Sequence, residues 1–539
     1  MPLTASKKFW GIMAISVLQS LLSARSEEAP AKSFPILEYR VEGNTLMRAI
    51  DIERAVYPYL GEDKTIKDVE AARLNLEKIY HERGYQTVLV NIPQQEIGSG
   101  VVRLTVLEAP VGQVQIKGSR YHSLEVINAT VPQLQGGVVP DFNEVQKELA
   151  LANHTQDMRV TPVLRASTTP GQVDVELDVQ DTLPLHATLE VNNRFGANTS
   201  HVRLIGEVSY DNLFQSNQSL SVQYQTAPEH PAEAKIWSVS YVIPTQGGPV
   251  WALYAVRSDS NIAAVGNLDV IGNGNIYGIR FIDPLPSISA NFYHNFTAGF
   301  DYKDFKQDVT LEGADDIPSP AKYSLYSLQY TATWLGASDA AHHQLAAVNA
   351  ERSNTTFSLG TNFTVTALGF GDNAQFDHKR FNASSSFFIF HPDLQRQQIL
   401  PWNWSLVADI NGQLASGPLI SNEQYAAGGV DSVRGYTEAE RLGDNGLRAS
   451  VELRTPQLLA GRTRITNSYL YLFADTAKIR ILDPLPGQFT GYHLNSQGIG
   501  FRFKYGGFIA DVDGARAATA GFVTPAGSYS AQFKANYTW

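Results

Sequence analysis

The last twelve residues, SYSAQFKANYTW, put Tyr529, Ala531, Phe533, Ala535, Tyr537 and Trp539 on one side of an extended chain and Ser530, Gln532, Lys534, Asn536 and Thr538 on the other. A strand repeats its side-chain direction every two residues and a helix every 3.6, so strict alternation of this length fits a strand and scatters around a helix. The pattern extends back to about Leu183. LHATLEVN opposes Leu185, Ala187, Leu189 and Val191 to His186, Thr188, Glu190 and Asn192; SLSVQYQT, KIWSVSYVI and GIGFRFKY repeat it, separated by Gly/Asn/Asp/Pro loops. A soluble β-sandwich or propeller also alternates. Segments of roughly 9–12 residues, aromatics at their ends and no repeat of blade length instead match a membrane-crossing antiparallel barrel, whose strands need about 9–11 residues. The expected class is membrane all-β, with about sixteen strands over 182–539 and an ambiguous count between Ala340 and Thr366.

Nothing after the N-terminus is apolar for long enough to make a membrane helix. Lys7 and Lys8, the run Phe9 to Leu22 and Ala24-Arg25-Ser26 have the three parts of a secretory signal peptide, assigned to 1–26. Glu27 to Ser33 would then precede the first strand near Phe34. As a helix they would reach only about 10 Å, too short to plug a pore spanning a core of roughly 30 Å. With 42 Lys plus Arg, 53 Asp plus Glu and no clustered basic stretch, the chain offers a polyanion nothing to neutralise, so nucleic acid is not an expected partner. It has no cysteine, so stability must come from packing and from closing the sheet.

From Phe34 to Asp181 one unit occurs twice. YRVEGN at 39–44 is followed by helical sequence through VEAARLNLEKIYHERGY, where Val69, Ala72, Leu76, Ile79 and Tyr80 share a face and Gly84 stands at the C-cap. TVLVNI and VVRLTVLEAP close the first copy. VQIKGS at 114–119, EVQKELALANH, VTPVLRAS and QVDVELDVQD repeat the order. Each copy, 34–109 and 110–181, reads as a βααββ unit with two helices on a three-stranded sheet.

Catalytic patterns are missing: no HExxH, G-x-S-x-G or Walker loop occurs, and the pair His342-His343 lacks metal-ligand spacing. GNGNIYG at 272–278 leads into a strand and reads as a turn. Asp511 and Asp513 fall on the polar face of a strand. No catalytic, cofactor or metal residues are assigned.

Two repeated units, a barrel, and VRGY at Val433 to Tyr436 followed by five strand segments resemble the two-partner secretion transporters (TpsB; ShlB/FhaC/HecB type) within the outer-membrane proteins bearing POTRA domains. LFADTA at 472–477, the strand ending in Tyr537 and Trp539, RVTPVLR at 159–165 and YDNLF at 210–214 carry the same likeness. The resemblance implies periplasmic POTRA domains that capture an unfolded secreted exoprotein (TpsA-like), export through the barrel without nucleotide hydrolysis, and a monomer in the lipid of a bacterial outer membrane. It also implies insertion by the barrel-assembly machinery through the C-terminal strand. It places the loop around 417–446 inside the lumen, with Val433, Arg434, Gly435 and Tyr436 at its tip and Arg434 paired to Asp475, beside Phe473. Alternation agrees on Asp475: it shares a face with Tyr469, Tyr471 and Phe473, and a carboxylate avoids lipid. The family's glycine two places beyond the aspartate is Ala477 here. A barrel-assembly factor or a diffusion porin are the alternatives.

Overall fold

A computed structural model describes residues 33–539 except 97–98, 154–156, 198, 246–247, 261–262, 266–267, 271, 290, 310–316, 337–352, 366–370 and 460–464. The signal peptide, the segment ahead of Lys32 and His342-His343 therefore lie outside the described residues. The chain forms two compact units, one ending at Asp181 and the other running from Thr182 to Trp539.

The first unit holds both repeats. In one, Glu38–Glu42 lies parallel to Val101–Glu108, which also pairs antiparallel with Val88–Asn91; in the other, Val111–Lys117, Val173–Asp181 and Met158–Ala166 are arranged identically. The last strand of each copy is thus the centre of its sheet. Helices Ala49–Val56 and Ile66–Glu82 cover the first sheet, Leu124–Thr130 and Phe142–Ala152 the second. Ile66–Glu82 starts at a reciprocal Thr65/Asp68 capping box and buries Val69, Ala72, Leu76 and Tyr80, the stripe expected of an amphipathic helix. The first copy adds a small pair, Phe34–Ile36 with Gly61–Lys64.

One local device recurs and ties the copies together. Gly43 and Gly118 turn the chain out of the first strand at φ of +86° and +88°, where a Cβ would fall 2.4 Å from Val106 O and 2.2 Å from Val179 O. Only glycine fits both the dihedral and the approach. Two residues beyond each of those valines a carboxylate receives the turn. Glu108 accepts from the N–H of Thr45 (2.8 Å) and Leu46 (3.0 Å), and Asp181 from Arg120 (2.9 Å), Tyr121 (2.7 Å) and His122 (3.1 Å). Burial opposes ionisation of both groups, yet these donors hold each carboxyl below its ordinary range.

The second unit is a closed barrel of sixteen antiparallel strands. In order they are Leu185–Asn192, Arg203–Leu213, Gln218–Thr226, Lys235–Pro244, Val250–Ser258, Gly274–Pro284, Phe292–Val309, Ile317–Leu335, Asn354–Phe363, Phe388–Ile399, Ser405–Ala415, Asn445–Arg454, Ile465–Arg480, Gly491–Tyr505, Phe508–Ala517 and Tyr529–Thr538. Of the ambiguous region, 340–352 lies outside the described residues and Asn354–Phe363 forms one strand, while the seventh and eighth strands, at 18 and 19 residues, exceed the length expected of a simple span. The first and last strands close the ring over Thr188–Asn192 and Lys534–Thr538, helped by reciprocal 3.1 Å backbone bonds between Ala187 and Trp539.

The barrel inverts the soluble-protein rule. Trp237, Val239, Leu253, Tyr277, Leu328, Leu472, Ile499 and Val512 are exposed on its outside, whereas Asp301, Gln413, Asp475, Asp513 and Gln532 are buried within. Polar groups in and apolar groups out is the arrangement that lipid outside and a polar lumen inside require. Tyr537 and Trp539 are exposed, with ring centroids 5.3 Å apart.

Candidate functional site: the lumen loop

Between the eleventh and twelfth strands, residues 416–444 fold into the lumen. A short hairpin stem, Tyr425–Ala427 with Arg441–Gly443, carries the segment 428–440 as its tip. At the tip Val433, Arg434 and Tyr436 are all buried.

The wall that receives Arg434 is built by strand register. Asp475 lies opposite Ser450 and Phe473 opposite Glu452 on the twelfth and thirteenth strands, so all four side chains meet on one inner patch. Gly498 on the fourteenth strand leaves the space that the Phe473 ring fills, since a Cβ there would fall 2.4 Å from the ring. The ring lies under the guanidinium, 3.7 Å from its centroid to Cζ. Arg434 donates to both Asp475 oxygens, from Nε at 2.8 Å and Nη2 at 2.7 Å, while its backbone N–H donates to the same carboxylate at 3.0 Å. Nη1 donates to Glu452 Oε1 at 2.6 Å and Nη2 to Ser450 Oγ at 3.2 Å. A planar fork on a carboxylate and a flat face on a ring are two properties that lysine lacks.

The neighbours of Arg434 complete the docking. Gly435 adopts φ +93° and gives its N–H to Gln532 at 3.1 Å. The Tyr436 hydroxyl lies 2.8 Å from Asn495 O and 2.9 Å from Thr519 Oγ1. Val433 packs with Tyr436, Ala477, Leu494 and Ala517, so the Ala477 methyl forms part of the seat under the tip. Glu440 accepts from the N–H of Val523 (2.8 Å) and Thr524 (2.9 Å), which fastens the tip to the loop before the last strand. Arg434 borders a cavity of about 360 Å³ whose lining includes Arg448, Glu452, Arg502, Asp511 and Asp513. Asp511 pairs there with Arg502 at 2.7 Å.

A second group of contacts at the base of the loop is not foreshadowed by the sequence reading. Asp444 is fully buried, pairs with both ends of the Arg380 guanidinium, and accepts from Leu419 N (2.8 Å) and Leu482 N (2.7 Å). Glu423 accepts from the Tyr323 hydroxyl and from Lys303 Nζ at 2.5 Å. Arg380 follows the helix Asn373–Lys379, whose Phe376 is fully buried against Tyr323 and Phe387. These rings join Ile236, Val256, Ile276, Phe305, Leu419 and Ile420 in an apolar cluster inside the barrel, so residues 371–387 form a cap beside the loop. The base of the loop bearing Arg434 therefore packs against this cap through Leu419 and Ile420.

Comparison with known proteins follows the same outline. Residues 34–109 match the family described as POTRA domain, ShlB-type, and residues 325–503 match Haemolysin secretion/activation protein ShlB/FhaC/HecB. The Heme/hemopexin transporter protein HuxB of Haemophilus influenzae is 21% identical over 453 residues, covering 81% of this chain and 75% of its own. The outer membrane transporter CdiB of Escherichia coli O6:K15:H31 is 21% identical over 198 residues, 37% of this chain and 33% of its own. Among solved structures, CdiB from Escherichia coli superposes with a TM-score of 0.69 at 16% identity, over 97% of this chain and 93% of that one. BamA from Haemophilus ducreyi lacking POTRA domains 1–3 gives 0.54 at 13% identity, over 94% and 100%. At these identities the superpositions establish the fold.

Proposed function

The chain belongs to the ShlB/FhaC/HecB transporters, outer-membrane barrels with periplasmic POTRA domains, and on that premise we propose that it exports one unfolded partner exoprotein. Its POTRA sheets offer open edges. Met158–Ala166 is the longer outer strand of its sheet, and Val163 and Leu164 are exposed on opposite faces of it, as suits an extended segment added alongside. The exported chain then crosses the polar lumen. No nucleotide step enters this reading; folding of the cargo outside supplies the direction.

In this scheme Arg434 is a latch. Docked on Asp475, Glu452 and Phe473 it holds the loop tip in the pore; export needs the tip both to leave this seat and to return to it, so loss of either partner impairs the cycle. The observation that carries the reading is the bidentate Arg434–Asp475 pair inside the barrel. Co-expression with a large secreted protein of the TpsA type provides the test: its cognate partner reaches the medium only with this chain present, and Arg434→Ala or Asp475→Ala lowers its release while the barrel still inserts. Wild-type release by both variants would remove the latch. Insertion of other barrels in place of release would favour an assembly factor.

A further inference from the structure

We infer that the loop opens about Gly428 and Gly429, freeing only residues 428–440, while Asp444 and Arg380 form a fixed hub at its base. The inference rests on the reading that this loop gates the pore.

The two ends of the loop are held by different chemistry. When Arg434 leaves, each of its acidic partners keeps another donor: Asp475 retains the Ser450 hydroxyl at 2.6 Å, and Glu452 retains Arg454 Nε and Nη2 at 2.9 and 2.7 Å. The adjoining cavity of about 360 Å³ can admit water to whatever is uncovered. Release at the tip leaves each carboxylate with a remaining donor.

The base is tied more heavily, for the fully buried Asp444 also accepts from Leu419 N, Leu482 N and Gln424 Nε2. Among the described residues Arg380 is the one cation in contact with the fully buried Asp444, and Arg380 in turn donates to the carbonyls of Leu419 (2.6 Å) and Leu482 (3.0 Å). These contacts join the cap, the base of the loop and the connection between the thirteenth and fourteenth strands. Opening there would part a buried carboxylate from its guanidinium and break the bonds to Leu482 as well, an unfavourable event. Glu423, held by Lys303 and Tyr323, fixes the other leg of the base.

The break between the two regimes falls at the glycines. Gly428 follows the paired stem directly and, like Gly429, has a strongly positive φ, +109° and +106°. A Cβ at 428 would meet Thr437 O at 2.6 Å, so the chain doubles back on itself there. This is where a stem that stays paired can release a tip that moves.

A chain without cysteine permits reversible locks. Gly443→Cys with Ile479→Cys ties the base to the thirteenth strand, since a Cβ at 443 lies 2.3 Å from Ile479 Cγ2. Tyr425→Cys with Gly446→Cys is the second base pair, used where the first fails to insert. Glu440→Cys with Gly521→Cys ties the tip to the loop beside it, a Cβ at 521 lying 2.8 Å from Glu440 Cγ. Potassium chloride conductance of the full chain in planar bilayers is recorded oxidised and then reduced, with disulfide formation scored on gels. Base-locked protein is expected to keep the opening events of the unmodified chain, and tip-locked protein to lose them until reductant is added. Loss of openings in the base-locked form would overturn the fixed hub. Persistence of openings in the tip-locked form would instead overturn the gate on which the inference depends.

Discussion

Replacing Arg434 by alanine removes four side-chain hydrogen bonds, two to Asp475 and one each to Glu452 and Ser450, together with the stacking on Phe473. Deleting one member of a buried ion pair is worth about 3–5 kcal/mol. The lower end applies here, because Asp475 keeps the backbone N–H of residue 434 and the Ser450 hydroxyl, and Glu452 keeps Arg454. About 3 kcal/mol shifts the balance between docked and undocked tip roughly 100-fold. Val433 is fully buried in the docked tip, so a single cysteine at that position reports undocking through its reaction with a membrane-impermeant maleimide. In the Val433→Cys background, Arg434→Ala should accelerate labelling by roughly two orders of magnitude. Arg434→Lys, which keeps charge without the fork, should fall between. Asp475→Ala should resemble Arg434→Ala, and the double variant should exceed neither by more than about 0.5 kcal/mol, since both remove one interaction. Unchanged labelling in Arg434→Ala, or fully additive effects, would refute the latch.

Three further outcomes follow from the geometry. Glu108 and Asp181 have folded pKa values below their unfolded ones, so their stabilisation is present above the carboxylate range and is lost as pH falls through the folded values; acid titration of the fragment 33–181 by circular dichroism should show this, and Asp181→Asn should flatten the acid limb. Gly118→Ala should destabilise the second repeat by about 1–3 kcal/mol in chemical denaturation, because the strained dihedral and the contact with Val179 O act together. Phe376→Ala, which empties the centre of the cap, should weaken it by about 3–5 kcal/mol and raise single-channel conductance while heat-modifiable barrel mobility on gels persists.

What could be read from the sequence was whatever period and chemistry both marked. Residues 469–475 alternate tyrosine, phenylalanine and aspartate with leucine and alanine, and in the barrel Tyr469, Tyr471, Phe473 and Asp475 are buried while Leu470 and Leu472 are exposed. Two solvents on the two faces impose that contrast on every strand, which is why sixteen strands could be expected before any was seen. The seventh and eighth strands run long because their pairing continues beyond what a bilayer demands, and hydropathy is silent there. Ser450 and Glu452 were missed as partners of Arg434: SVELR places both on a polar face, but only pairing between the twelfth and thirteenth strands brings them beside Asp475. The cap was missed for another reason. A helix of seven residues is too short to announce itself by propensity or period, and Asn373–Lys379 exists because Phe376 is held by rings from distant strands.

Export itself is tested most directly by reconstitution. Purified protein is placed in liposomes, and the urea-unfolded partner exoprotein identified by co-expression is diluted to the POTRA side with no nucleotide present. The account predicts that the exoprotein becomes protected from added protease inside the vesicles, and that less of it is protected when Arg434→Ala or Asp475→Ala protein replaces the wild type. No protection with wild-type protein, or protection that appears only when ATP is supplied, would contradict it.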